Sequence, residues 1–375
     1  LPTWAVAEVE TRANDALRDA LPGAVMSLGG IEIMVEQDWT PRLRLEDVRL
    51  LQSDGSTLLA LPDLRLGFDP DAFLYDRALR PREVRLIGSS IALRRLADGS
   101  FDLSFGTAQP AAPITGLAGL LAGIDRALAT PLLSRLDRIE AEAATLTLED
   151  ARTGRVWNVG DGRIRIENRA DALAAEMGLT LVGGGEAPAQ ALITLIRPKG
   201  QAQVRLTATV NQVAAADIAA QAPVLAWLGV LDAPISGRIS AVITDAGISA
   251  LNAEMALGAG ALRPEGAARA IPFDRASVSL GYDPALGRIA LTDLSVDSKT
   301  LRLTATGHAY PLDARGHILI GPLGGTVPAA FLGQVAVSQA QIDPEGLFER
   351  PLVFTQGAMD ARLTLNPFRV DIGQV

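Results

Sequence analysis

The sequence predicts a mainly β protein with a few short helices: a long, curled antiparallel sheet built of repeating groove-like units, with helices at the N-terminus and between the units. Three observations predict it. Apolar residues alternate with polar ones over most of the chain, the period of a strand with one dry face. Gly- and Asp-containing turns recur between the alternating runs. One strand–turn–strand–Asp–strand design recurs loosely as VRLLQSDGSTLLALPDLRL (48–66), LTLEDARTGRVWNVGDGRIRI (146–166) and VSLGYDPALGRIALTDLSV (278–296). A sheet of some twenty strands does not stay flat, so curvature is expected.

Taken in order, residues 1–22 predict a helix, with Pro2 in its first turn and an apolar stripe of Trp4, Val6, Val9, Ala13, Leu17 and Leu21. Residues 23–106 form the first β unit. Its meander carries Leu43, Leu45, Val48, Leu50, Leu64, Leu66, Phe68, Val84, Leu86, Ile91, Leu93, Leu103 and Phe105, with hairpins at Asp54-Gly55 and Asp98-Gly99. Residues 107–140 read as a connector followed by amphipathic helix, split in two at Thr130-Pro131. The second β unit spans 141–213, with turns expected at Gly154, Gly162, 183–185 and 198–200. Short helices follow at 214–232. The third β unit, 233–375, has turns at 245–247, 283–287 and 313–316.

Composition narrows the function classes. Apolar residues make up 48% of the chain and aromatics only 4%, so aliphatic side chains fill the core. A net charge of −9 and two isolated lysines, Lys199 and Lys299, provide no concentrated basic face for nucleic acid. The arginines, spread singly along strands, read as a solvated face. Without cysteine there is no disulfide, thiolate zinc site or cysteine nucleophile. His308 and His317 lack ligand partners at metal spacing. Neither a Gly-x-Ser-x-Gly elbow nor a P-loop occurs, and acidic neighbours such as Glu46-Asp47 point to opposite faces of a strand. No catalytic constellation, metal site or cofactor is expected. No run of residues is apolar for the ~18 positions a membrane span requires.

Four stretches carry a resemblance: DWTPRLRLEDVRLLQSDGSTLLALPDLRLGF (38–68), VRLIGSSIALRRLADGSFDLSFG (84–106), ADIAAQAPVLAWLGVLDAPISGRI (216–239) and LNPFRVDIGQV (365–375). With these the chain resembles the AsmA-like proteins of Gram-negative bacteria, in particular the YhdP-type branch related to TamB and the chorein-type lipid bridges. The resemblance implies a periplasmic protein tethered to the inner membrane by an N-terminal helix, with β units curled into an apolar trough for phospholipid moving toward the outer membrane. It also implies that the anchor, absent from this chain, and further β units lie outside residues 1–375. The groove lining expected from the alternation is Leu64, Leu66, Phe68, Val84, Leu86, Leu103, Phe105, Leu146, Leu148, Ile164, Ile166, Leu179, Leu181, Val204, Leu206, Val278, Leu280, Ile289 and Leu291. Its partners would be phospholipid acyl chains. Two other readings of the residues stay open: a closed core in which the same leucines pack only on one another, and an envelope scaffold that carries no lipid.

Overall fold

The computed structural model describes residues 6–11, 14–15, 25–35, 41–51, 57–68, 81–88, 90–95, 101–102, 116–129, 133–150, 155–181, 189–219, 228–263, 270–324, 328–343, 349–365 and 368–374. Strands dominate, as the alternation requires, and the chain divides into two compact units. The first comprises Leu1–Val182 with Thr194–Gln201, the second Gly183–Ile193 with Ala202–Val375.

The first unit is built from β1 (Val25–Ser27), β2 (Gly30–Val35), β3 (Pro41–Leu51), β4 (Thr57–Phe68), β5 (Pro81–Ile87), β6 (Ser90–Arg95), β7 (Phe101–Asp102), α1 (Gly116–Leu128), β8 (Arg138–Asp150), β9 (Arg155–Asn168) and β10 (Ala172–Leu181). Antiparallel pairing links β2, β3, β4 and β5 in series, and likewise β8, β9 and β10. Strand β8 joins the two series by running parallel to both β5 and β6. The expected all-antiparallel sheet is therefore mixed at this one place, because the chain crosses through α1 between β7 and β8 and re-enters in the same direction. Helix α1 lies between β7 and β8 of this unit, and β8 begins at Arg138. The second helix expected after Thr130-Pro131 is not formed over residues 133–135, which make a turn; residues 130–132 lie outside the described set.

Strands β5 and β6 lie end to end along β8. The break falls at Gly88 (φ 68°), whose N–H donates to the Glu142 carbonyl at 3.0 Å, opposite a bulge at Ala143 (φ 49°). The same arrangement recurs where β1 and β2 share β3. There Gly29 donates to the Glu46 carbonyl at 2.9 Å beside a bulge at Asp47 (φ 49°). A bulge inserts one residue, which would otherwise turn the following apolar side chains to the wet face. Thus Leu45 and Val48, three positions apart, are both buried. Gly162, expected in a turn, instead lies inside β9 opposite Ala144 at another irregularity of β8.

Residues 6–11 and 14–15 are helical, in agreement with the N-terminal prediction where it can be compared. Val6 and Val9 pack on the buried cluster of Leu28, Ile31, Leu45, Val48, Leu61 and Leu64. The Asn14 side chain donates to the Met26 carbonyl (3.0 Å) and accepts from its N–H (2.6 Å), while Glu10 accepts from the Leu28 N–H. Helix side chains thereby bond backbone groups of Met26 in β1 and of Leu28 just after it.

Strand β11 (Ala189–Pro198) is shared between the units. The second unit continues with β12 (Val204–Ala214), α2 (Ala215–Ala219), β13 (Leu231–Asp232), β14 (Pro234–Thr244), β15 (Gly247–Leu257), β16 (Gly260–Leu262), β17 (Ile271–Phe273), β18 (Arg275–Asp283), β19 (Arg288–Asp297), β20 (Leu301–Leu312), β21 (Leu323–Gly324), β22 (Ala330–Ile342), β23 (Leu352–Phe354), β24 (Gly357–Leu365) and β25 (Phe368–Gln374). Antiparallel pairing runs in series through β12, β14, β15, β18, β19, β20, β22, β24 and β25. The short strands β13, β16 and β17 form a separate small sheet. Turns fall at 245–246, 284–287 and 314–316 as the sequence indicates; those expected at 54–55, 98–99, 154 and 183–185 lie outside the described residues. At one end of the sheet Ile218 of α2 joins Val213, Leu228, Ile235, Ala253 and Met255 in a buried cluster. The short helices expected over 214–232 are described only as α2 and a single 3-10 turn at 228–230.

Gly307 stands where β20 passes so close to β22 that a Cβ would collide with the Gln334 carbonyl oxygen and press on the Val335 backbone. Gly307→Val is expected to destabilise the chain by at least about 2 kcal/mol in denaturant titration. Gly178→Ala, with nothing within 4 Å of the added carbon, should cost less than about 1 kcal/mol.

Candidate functional site: an apolar wall backed by an ion-pair ladder

Register, read across the first sheet, assembles single residues into rows. One row runs Ile33, Leu43, Leu66, Val84, Ile139, Ile166, Ala175. The next runs Ile31, Leu45, Leu64, Leu86, Ala141, Ile164, Met177. Both lie on one face over seven strands. With six gaps of about 4.8 Å the wall is about 29 Å across. Ile31, Leu45 and Leu64 are sealed in the cluster under the N-terminal helix. Leu66, Val84, Leu86, Ile139, Ile164 and Ile166 are only half-buried. A core closed on itself would bury such side chains almost completely; Leu66, Val84 and Leu86 border the sealed cluster and pack against it, yet they keep part of their apolar surface accessible.

Six of the expected lining residues, Leu64, Leu66, Val84, Leu86, Ile164 and Ile166, thus share this wall. Leu146 and Leu148 stand on β8 opposite Val159 and Trp157, and Leu181 on β10 also pairs with Val159. Leu179 falls at the register slip between Gly178 and Thr180. Phe68 departs from the set: a slip after Gly67 places it among Arg42, Arg82 and Glu83 in a charged recess at the end of the strands. Leu103 and Phe105 lie outside the described residues.

In the second unit Leu206 aligns with Ala241, Leu251, Tyr282 and Ile289, Leu280 pairs with Leu291, and Val278 with Leu294. Val278 and Leu280 pack against the cluster under α2. Val204 is fully enclosed, so it serves as core and not as an accessible lining. The expected lining left out Leu43, Ile139, Ile239, Ala253 and Met255, all on the same faces. Their signal was the same alternation, interrupted by bulges.

The opposite face of the first sheet is not the plainly solvated surface expected of scattered arginines. Arg44 contacts Glu32 (3.2 Å), Glu46 (3.1 Å) and Asp63 (3.0 Å), and Arg65 also reaches Asp63 (3.3 Å). Farther along, Arg85 and Arg165 converge on Glu140 at 3.3 and 2.8 Å, and Arg42 meets Glu83 at 3.2 Å. Asp63 and Glu140 are buried, each shared by two guanidinium groups. Asp63 beside Arg44 raises the pKa of that guanidinium further, so its charge is permanent. The ladder gives the sheet one firmly polar face, leaving the other as its only aliphatic one.

Neither histidine builds a site. His308 stacks edge-on against Tyr310 with ring centroids 5.4 Å apart. His317 has an acidic neighbour after all, Asp313, whose carboxylate lies 3.3 Å from Nδ1 and also accepts from the His317 and Arg315 N–H groups. Among the described residues no three potential ligands cluster to hold a metal, and no helix is long and apolar enough to cross a membrane.

No family model, curated protein or solved structure matches this chain.

Glu140→Leu removes the carboxylate shared by Arg85 and Arg165, and a loss of about 2 kcal/mol is expected in denaturant titration. The carboxylates of Glu167, Asp297 and Asp313 are held below their usual range, by hydrogen bonds from Arg169, from Arg275 and from the His317 N–H respectively. Groups so depressed contribute stability above the unfolded value of about 4 and lose it as pH falls through the folded value. The denaturation midpoint should therefore drop as pH is lowered below about 4, and less steeply in Arg275→Gln.

Proposed function

We propose that this chain is a lipid-binding module of an AsmA-like, YhdP-type protein of the periplasm that is tethered to the inner membrane. Its aliphatic wall would serve phospholipid movement between inner and outer membrane. The observation that carries this reading is the half-buried stretch of two adjacent rows, Leu66, Val84, Ile139 and Ile166 in one and Leu86 and Ile164 in the next. A wall of branched aliphatic side chains without hydrogen-bonding groups suits hydrocarbon and ignores head-group identity. Covering it with an acyl chain returns about 0.8 kcal/mol per methylene. In this reading the chain catalyses no reaction and needs no cofactor.

A second reading, an envelope scaffold that supports outer-membrane assembly without carrying lipid, draws on exposed Val353, Phe354, Val370 and Ile372 in β23 and β25. Such residues suit a protein neighbour as well as a lipid.

Native mass spectrometry with lipid extraction separates the two. Phospholipid should co-purify with the 375-residue chain, and Leu66→Asp with Leu86→Asp should abolish it while the chain stays folded by circular dichroism. An apo mass that persists after incubation with phospholipid vesicles, or lipid retained by the double variant, would remove the lipid reading.

A further inference from the structure

At the end of strands β4, β5, β8 and β9 the first unit holds a recess of about 380 Å³ lined by Arg42, Gly67, Phe68, Arg82, Glu83, Asp137, Arg138, Glu167, Asn168 and Arg169. Its origin is visible in the register. The cross-strand row Arg42, Gly67, Glu83, Arg138, Glu167 is charged at every position but one, and that one has no side chain. A Cβ at Gly67 would stand 3.3 Å from the Glu83 Cβ and 3.9 Å from the Arg42 Nε, so the glycine opens the floor between them.

Charge around the floor is mixed and ordered. Arg42 pairs with Glu83 (3.2 Å), which also meets Arg85 of the polar face (3.2 Å); Arg82 pairs with Asp137 (2.6 Å) and Arg169 with Glu167 (2.7 Å). Arg138, the exposed fourth guanidinium, has no ion pair within 4 Å among the described residues and acts on Glu167 only through its field. Four guanidinium groups thus face three carboxylates in a chain whose net charge is −9. A simple dianion would meet all three carboxylates, and a simple cation four arginines. A ligand carrying both signs satisfies each set.

The geometry points to this recess as a binding site for a phosphate ester that also bears a primary ammonium. Arg138 takes the phosphate with a charge-assisted contact, and the ammonium lies toward the carboxylates of Glu83 and Glu167. Such chemistry occurs in soluble phosphoamines and in the ethanolamine head group of a phospholipid. The site stands apart from the lipid reading, and only its assignment to a lipid head group rests on that reading.

The test uses glycerophosphoethanolamine, which has the head group and no acyl chain, titrated into the whole chain by calorimetry and by amide NMR. Saturable binding is expected, with shifts at Gly67, Arg138 and Asn168. Arg138→Gln should weaken it about tenfold and Arg138→Lys should restore part of it. Ethanolamine, inorganic phosphate and glycerophosphoglycerol should each bind at least about tenfold more weakly. No saturable binding, equal binding of glycerophosphoglycerol, or an unchanged Arg138→Gln variant would overturn the proposal. A second arm adds phosphatidylethanolamine vesicles. Movement of the same amide signals identifies a lipid head group, whereas a response to glycerophosphoethanolamine alone identifies a soluble phosphoamine. Lipid co-purification without glycerophosphoethanolamine binding would leave the aliphatic wall in place and remove only the recess.

Discussion

The whole fold depends on keeping a period of two in phase across many strands. One residue too many in any strand would turn aliphatic side chains to water and arginines into the core. The chain absorbs extra residues in bulges, among them those at Asp47, Ala143 and Gln212, each with positive φ. Opposite Asp47 and Ala143 the partner strand breaks, with Gly29 and Gly88 donating across the gap. Opposite Gln212 the strand does not break; Ser236 accepts the bulged N–H at 3.0 Å, and Gly237 beside it lets β14 approach the Glu254–Met255 backbone of β15. The faces stay distinct because the irregularities are paired.

That distinction sets what each face can do. The N-terminal helix seals one part of the first sheet's apolar face and α2 a part of the second's. Between sealed patches the aliphatic rows remain half-buried. A β surface of this kind is stable because the strands are long and the polar face is tied by ion pairs, so the wall need not collapse to hold the sheet together. An accessible apolar surface is then compatible with a folded chain.

Much of this was legible in the residues. Alternation located most strands and one dry face, and Asp–Gly spacing located three turns of the second unit. The bulges were also written there, as changes of parity: Leu43 and Leu45 give way to Val48 and Leu50, and Ile289 and Leu291 to Leu294 and Val296. The parallel placement of β8 was not legible, because no local pattern tells a chain in which direction to re-enter a sheet. Nor was the pairing of Arg85 and Arg165 on Glu140, which joins residues far apart in sequence through the register alone. Phe68 looked like its neighbours Leu64 and Leu66, and only the slip after Gly67 sets it among charges.

The ion-pair ladder has one more consequence. A strand of alternating Leu and Arg looks the same to its neighbour after sliding by two residues: the greasy side still meets the greasy side. Aliphatic contacts alone leave such slipped pairings nearly degenerate. Charges break the tie. Arg44, opposite Arg65, finds Asp63 and Glu32 in the native alignment; a two-residue slide of β3 along β4 would move it opposite Gly67 and away from Asp63, or opposite Asp63 with Arg42 then facing Arg65, like charge against like. The carboxylates buried on the polar face therefore act as a ruler, selecting one alignment from a family that hydrophobicity cannot tell apart.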